Sequence, residues 1–202
     1  MRGASREEAH REVGETWPLT NEDIVGKVVA STNVALDGVM EAPDRWVFRF
    51  WSDELAKSAH DEFLRSDALL LGRVTYEAFA EFWPSATNEP GIAERMNDLP
   101  KHVASTTLEE PLEWSNSTLI KGDVAEEVAK LMEQPGGDIL LLASAELVRT
   151  LMDHDLIDEY WLRVAPAVAG SGKRLFADGS DTKTMRLVET RTFDSGVVGL
   201  TY

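Results

Sequence analysis

Hydrophobic and polar positions change period several times along the 202-residue chain. From Val28 to Leu36 (VVASTNVAL) apolar and small residues run without a charge and stop at Asp37-Gly38, the pattern of a strand closed by a turn. A loop rich in Trp, Phe and Pro follows from Val39 to Trp51. Ser52 or Asp53 can cap a helix through about Arg65, with Leu55, Ala59, Phe63 and Leu64 on one face. Ala68–Leu71 reads as a short buried strand, and Thr75–Phe82 as a helix that turns Tyr76, Phe79 and Phe82 inward. A loop with Pro84, Pro90 and Gly91 leads to a short helix near Ile92–Asn97, then to strands at His102–Ser105 and Thr118–Ile120. Asp123 caps a helix through Met132, which Pro135-Gly136-Gly137 stops. Asp138–Ala143 is a central strand and Ala145–Met152 a helix. The chain ends in strands at Asp158–Val168, Met185–Phe193 and Gly196–Tyr202, the last two joined by the turn Asp194-Ser195-Gly196.

Strands that alternate with helices build a parallel sheet covered on both faces, and a closing run of strands adds antiparallel partners at its edge. The expected fold is therefore α/β, three layers with a mostly parallel central sheet. Residues 1–24 are polar, with Gly14 and Pro18 breaking any helical pattern, and read as an N-terminal extension to one domain over residues 25–202.

Composition narrows the chemistry. The chain has no cysteine, which excludes disulfides, thiolate catalysis and cysteine-ligated metals. Its four histidines are scattered without ligand spacing, so no metal site is expected. The formal net charge of −16 repels a phosphate backbone, and nucleic acid is not an expected partner. No apolar run approaches the ~20 residues of a membrane span and no signal peptide core is evident, so the expected location is cytoplasmic. An anionic cofactor must then be held by local cations and backbone donors, with Arg73, Lys101, Lys173 and Arg174 as the local candidates.

Three strand-to-loop junctions carry such donors: Gly72-Arg73-Val74-Thr75, Ser105-Thr106-Thr107 and Ala143-Ser144-Ala145-Glu146. In open α/β sheets ligands bind past the carboxyl ends of strands, where helix N-termini offer unpaired N–H groups to phosphate. The loop Gly170-Ser171-Gly172-Lys173-Arg174 lacks the spacing of a phosphate loop and reads as a connector.

Taken in order, these segments resemble the dihydrofolate reductase fold. They are closer still to the relatives grouped with the reductase domain of the bifunctional riboflavin-biosynthesis deaminase–reductase. The resemblance rests on Leu36-Asp37-Gly38, on Leu71 to Glu77 (LGRVTYE), on Met96-Asn97 with Pro100-Lys101, and on Ser105 to Leu108. It continues through Lys121-Gly122-Asp123, Ser144 to Leu147, Leu156 to Tyr160, Pro166, Gly170 to Phe176 and Phe193 to Val198. It implies an NADPH site. Arg73 with Ser105 and Thr106 would face the adenosine 2′-phosphate. Thr75 would meet the pyrophosphate or nicotinamide ribose, with Gly72 allowing the cofactor's close approach, and Ser144 and Ala145, after Ala143, would open the helix that holds the pyrophosphate. It also implies homodimers, with Trp161 and other outward residues of the Asp158–Val168 strand at the interface. Relatives commonly have glycine where Ala143 stands, and the deaminase half of the pathway enzyme has no counterpart in this chain.

The reaction implied is hydride transfer from NADPH to a small pteridine-like or pyrimidine-derived heterocycle. Asp37, Asp53 and Glu54 are the candidate proton donors, left open among themselves. Asp37-Gly38 is otherwise a turn, and Asp53 a helix cap. Trp51, Tyr76 and Phe79 are the candidate walls for a flat ring; Tyr76 and Phe79 are otherwise core. The alternative function is a reductase-like scaffold of weak or no activity that binds a ligand or partner, motivated by Ala143.

Overall fold

The computed structural model describes residues 26–87, 91–176, 179 and 182–202; the extension read at 1–24 lies outside them. Among the described residues the chain forms strands β1 (Val28–Ala35), β2 (Ser66–Gly72), β3 (Lys101–Ala104), β4 (Ser117–Ile120), β5 (Asp138–Leu142), β6 (Glu159–Ala165), β7 (Glu189–Thr192) and β8 (Val198–Thr201). The helices are α1 (Asp53–Arg65), α2 (Arg73–Phe82), α3 (Ile92–Asp98), α4 (Val124–Met132) and α5 (Ala145–Asp153). All strands join one sheet of order β4-β3-β2-β5-β1-β6-β8-β7. The first six are parallel; β8 runs antiparallel to β6 and to β7.

Period-2 alternation splits each apolar run between two cores. Val28, Ala30, Leu70 and Leu141 face a cluster closed by Val128 of α4 and Leu147, Val148 and Leu151 of α5. Their neighbours Val29, Leu69, Leu71 and Leu140 face the opposite cluster, with Tyr76 of α2, Met96 of α3 and the flanking Phe63 of α1. The result is the three-layer α/β/α architecture expected from the strand and helix order. Ser52, not Asp53, caps α1, its Oγ accepting from Leu55 N–H at 3.2 Å. Asp123 caps α4 through Ala125 N–H at 2.9 Å and Glu126 N–H at 3.1 Å.

Several expected elements differ in extent. Pro166 cannot donate to a ladder, so β6 ends at Ala165 rather than Val168. The edge strand β7 shrinks to Glu189–Thr192, and β5 stops at Leu142, leaving Ala143 outside the sheet. Phe82 is 48% exposed rather than inward. Trp161 packs beside the α1–α3 cluster and donates its indole N–H to Glu159 at 3.0 Å, while β6 lies between β1 and β8.

Candidate functional site

The connections after β2 and β5 leave for opposite faces of the sheet, and these strands are neighbours. Their carboxyl ends therefore bound a crevice of the kind that ligands enter in open α/β sheets. The β3 end adjoins it, so all three sequence-identified junctions come together. On the other side β1 outreaches β5. Ser31 pairs with Leu142 at the top of β5, and Thr32–Ala35 continue upward beside Leu162–Ala165 of β6. The crevice is thus a step in the sheet, low at β2 and β5 and high at β1 and β6.

Ser144 stitches the low side together. Its Oγ accepts from Gly72 N–H at 3.0 Å and lies 2.9 Å from the Thr75 hydroxyl. A Cβ on Gly72 would come within 2.9 Å of that Oγ, so the glycine is required by a contact inside the protein. Ser144 does not cap α5 through its side chain, and α2 likewise has no side-chain cap. Among the described residues, neither helix has a side-chain cap on its first turn, and both begin at the strand ends that bound the crevice. Ala143 and Ser144 sit at φ of +49° and +57°, two consecutive left-handed residues, neither of them glycine. This geometry gives the physical reason for preferring glycine at 143.

The other junction residues fall as follows. Arg73 forms an exposed ion pair with Glu77 at 2.8 Å, an i,i+4 pair that is worth only about 0.3–0.5 kcal/mol. Ser105 closes a small turn, its Oγ accepting from Thr107 N–H at 3.1 Å and Leu108 N–H at 3.0 Å, with Thr106 exposed at the tip. Ala145 is buried at the start of α5. Glu146, next along, pairs with Lys173 across from the 167–173 loop.

Lys101 is not a crevice cation. It opens β3 at the far end of the sheet and is 1% exposed; its Nζ donates to Asn97 O at 2.9 Å and Leu99 O at 2.7 Å, above the Trp114 ring. Burial pushes its ammonium down to about 8.

Two of the three carboxyl groups singled out as proton donors have other partners. Asp37 accepts from Gly170 N–H at 2.8 Å and Ala169 N–H at 3.3 Å, and the Gly170 bond above all holds its carboxyl below the usual carboxylate range. Glu54 binds Arg191 at 2.7 Å and Asp194 N–H at 3.3 Å; the Arg191 bond lowers it likewise. Asp53 is exposed in the first turn of α1. Of the aromatic residues, Tyr76 is 4% exposed, its hydroxyl oxygen accepting from Trp114 N–H at 3.0 Å. Phe79 packs edge-on against Trp83. Both belong to the core, as their i, i+3 spacing allowed. Trp51 is 39% exposed beside the α1 cap.

The high side of the step holds a cavity of about 570 Å³ between the 41–49 turns and the 167–172 loop. Arg45, Trp46 and Arg49 line one wall, and Ala167, Val168, Ala169 and Ser171 another. The loops are laced together: Leu36 N–H donates to Ala167 O at 2.8 Å, Leu175 N–H to Gly38 O at 3.0 Å, and Lys173 N–H to Glu41 Oε2 at 3.0 Å. Sequence reasoning missed this cavity. Its available signal was the Arg-Trp-x-x-Arg spacing within the aromatic loop.

Residues 26–199 match the RibD C-terminal domain. The chain belongs to this family. It is 31% identical over 188 residues to the uncharacterized protein YyaP of Bacillus subtilis, covering 91% of this chain and 98% of that protein. It is similar in fold to a candidate riboflavin biosynthesis protein from Shewanella sp. PV-4, with TM-score 0.69 and 20% identity over 87% of this chain and 97% of that one. It also matches a diaminohydroxyphosphoribosylaminopyrimidine deaminase/5-amino-6-(5-phosphoribosylamino)uracil reductase from Thermotoga maritima, with TM-score 0.62 and 15% identity, over 87% of this chain and 56% of that one. Family and fold thus agree with the resemblance read from the motifs. Among the described residues no helix is long and apolar enough to cross a membrane, and no group of acidic or histidine side chains could hold a metal ion.

Proposed function

We propose that this member of the RibD C-terminal family is an NADPH-dependent reductase of a small pyrimidine- or pteridine-derived heterocycle. The observation that carries the reading is the meeting of three strand ends at one switch point, flanked by two helices without side-chain caps. Helix N-termini there suit a diphosphate, and the Thr75 and Ser144 hydroxyls add polar partners. Arg73, with Ser105 and Thr106 one strand over, suits the 2′-phosphate side.

NADPH, when bound, supplies the hydride. The chain supplies position. Asp37, ionised by its two amide partners, ties the β1 end to the 167–173 loop and so fixes the wall between crevice and cavity. Glu54 ties α1 to the β7–β8 hairpin. We assign both carboxylates positioning roles. Titration of the protein with NADPH, followed by cofactor fluorescence, tests the reading; saturable binding is expected, and none at millimolar cofactor refutes it.

A second reading, a scaffold without hydride transfer, is favoured by one observation: a non-glycine residue, Ala143, holds φ of +49° at the β5 end that bounds the crevice. It predicts NADPH affinity too weak to saturate and a gain on Ala143→Gly. As to partners, we propose a second copy of the chain, meeting along the exposed edge strand β7 beside Val188, which is 61% exposed. Light scattering is expected to give twice the 22.4 kDa chain mass; a monomer at high concentration refutes this. A cytoplasmic location is part of the same proposal.

A further inference from the structure

We infer that the cavity between the 41–49 turns and the 167–172 loop binds the oxyanion end of a small molecule, a carboxylate or phosphate held by Arg45 and Arg49. This deepens the reductase reading by giving its substrate an acidic end, but the binding itself requires no cofactor.

The argument begins with charge. Acidic side chains outnumber basic ones 36 to 20, so a guanidinium on this surface readily meets a carboxylate. The exposed Arg73 and Arg191 do. Among the described residues, the side chains of Arg45 and Arg49 form no ion pair or hydrogen bond, and both line the same cavity. They stand four residues apart on successive short 3-10 turns, Pro43–Arg45 and Phe48–Phe50. The acid that lines the cavity, Glu41, directs Oε2 to the Lys173 N–H.

The mounting is rigid. Trp46 and Val47, between the two arginines, are buried against Leu55, Phe193 and Val197. The Trp46 indole donates to Glu41 O at 3.2 Å. The facing wall is apolar at Ala167, Val168 and Ala169 and offers the Ser171 hydroxyl. Two exposed guanidiniums on a fixed base, opposite an apolar wall, suit a molecule with an uncharged body and an oxyanion terminus. The volume of about 570 Å³ is that of a small-molecule site.

Amide NMR spectra of the full chain, titrated at constant ionic strength with inorganic phosphate, with malonate and separately with NADP⁺, test the inference. Phosphate or malonate is expected to shift amides of residues 41–49 and 167–172 saturably. The R45Q/R49Q double variant, with an otherwise unchanged spectrum, is expected to weaken that binding at least tenfold. A response to phosphate alone identifies a phosphate-bearing ligand, and a response to malonate alone a carboxylate-bearing one. No saturable shift with either anion overturns the inference. Shifts that survive in the double variant, or that map to residues 72–75 and 144–146 instead, also overturn it. NADP⁺ shifts at 72–75 and 144–146 report on the cofactor reading alone, so either proposal can fail without the other.

Discussion

Ala143→Gly tests the left-handed corner at the mouth of the crevice. With φ at +49°, the alanine methyl crowds its own carbonyl, a conformation that costs an L-residue roughly 1–2 kcal/mol. Glycine removes that cost. Against this, glycine adds about 0.4–1 kcal/mol of unfolded-state entropy. The methyl, only partly buried against the α4–α5 cluster, gives up less than the ~0.8 kcal/mol of a fully buried carbon. The terms partly cancel, and the expected change in unfolding free energy lies between a loss of about 0.8 and a gain of about 1.6 kcal/mol. An ordinary alanine in a helix or strand interior would lose about 1 kcal/mol on the same change. Ala143→Val, which puts a β-branched residue at positive φ, is expected to lose more than 1 kcal/mol. Urea unfolding of the three proteins, monitored by tryptophan fluorescence, gives the ranking. If Ala143→Gly costs more than 1 kcal/mol while Ala143→Val is tolerated, the corner is not left-handed and the explanation for glycine at this position fails. The same variants, titrated with NADPH, show whether the methyl also obstructs the cofactor.

Glu62 and Arg163 form a buried pair at 2.5 Å, shared with Ser31 and Asn33 beneath α1; Glu62→Leu or Arg163→Met alone should cost about 3–5 kcal/mol in urea unfolding, whereas the double variant should recover most of it. Additive losses would show that the two charges do not depend on each other. Burial lowers His102 below its ordinary 6.5, so the unfolded chain takes up the proton first. Stability should be full above pH 6.5 and fall as pH drops below it toward the folded value. His102→Gln should flatten that slope between pH 7.5 and 5, and an unchanged slope would assign it to other groups. Tyr76→Phe leaves the buried Trp114 N–H without its acceptor and should cost about 1–3 kcal/mol while NADPH affinity stays constant. A selective loss of affinity would return Tyr76 to the ligand wall.

Period-2 alternation in Val28–Ala35 and Ala68–Leu71 and period 3.6 in α1, α4 and α5 were legible because each records which face of a single element meets a core. The junction residues were legible for the same local reason: a strand that ends in glycine or a hydroxyl residue before a helix announces its own geometry. What the sequence hid depends on chain segments far apart. Gly72 is bare because Ser144, 72 residues later, reaches it, and Arg163 finds Glu62 across 101 residues. Asp37 reads as a turn residue and candidate acid until the fold brings the amides of Ala169 and Gly170 to its carboxylate, 132 and 133 residues away. The cavity follows the same logic. Arg45 and Arg49 lie in a stretch with no periodicity to interpret, and only Pro166, by ending β6 early, releases the 167–172 loop to face them. The proline that shortened the expected strand is thus what frees the chain to build the second wall.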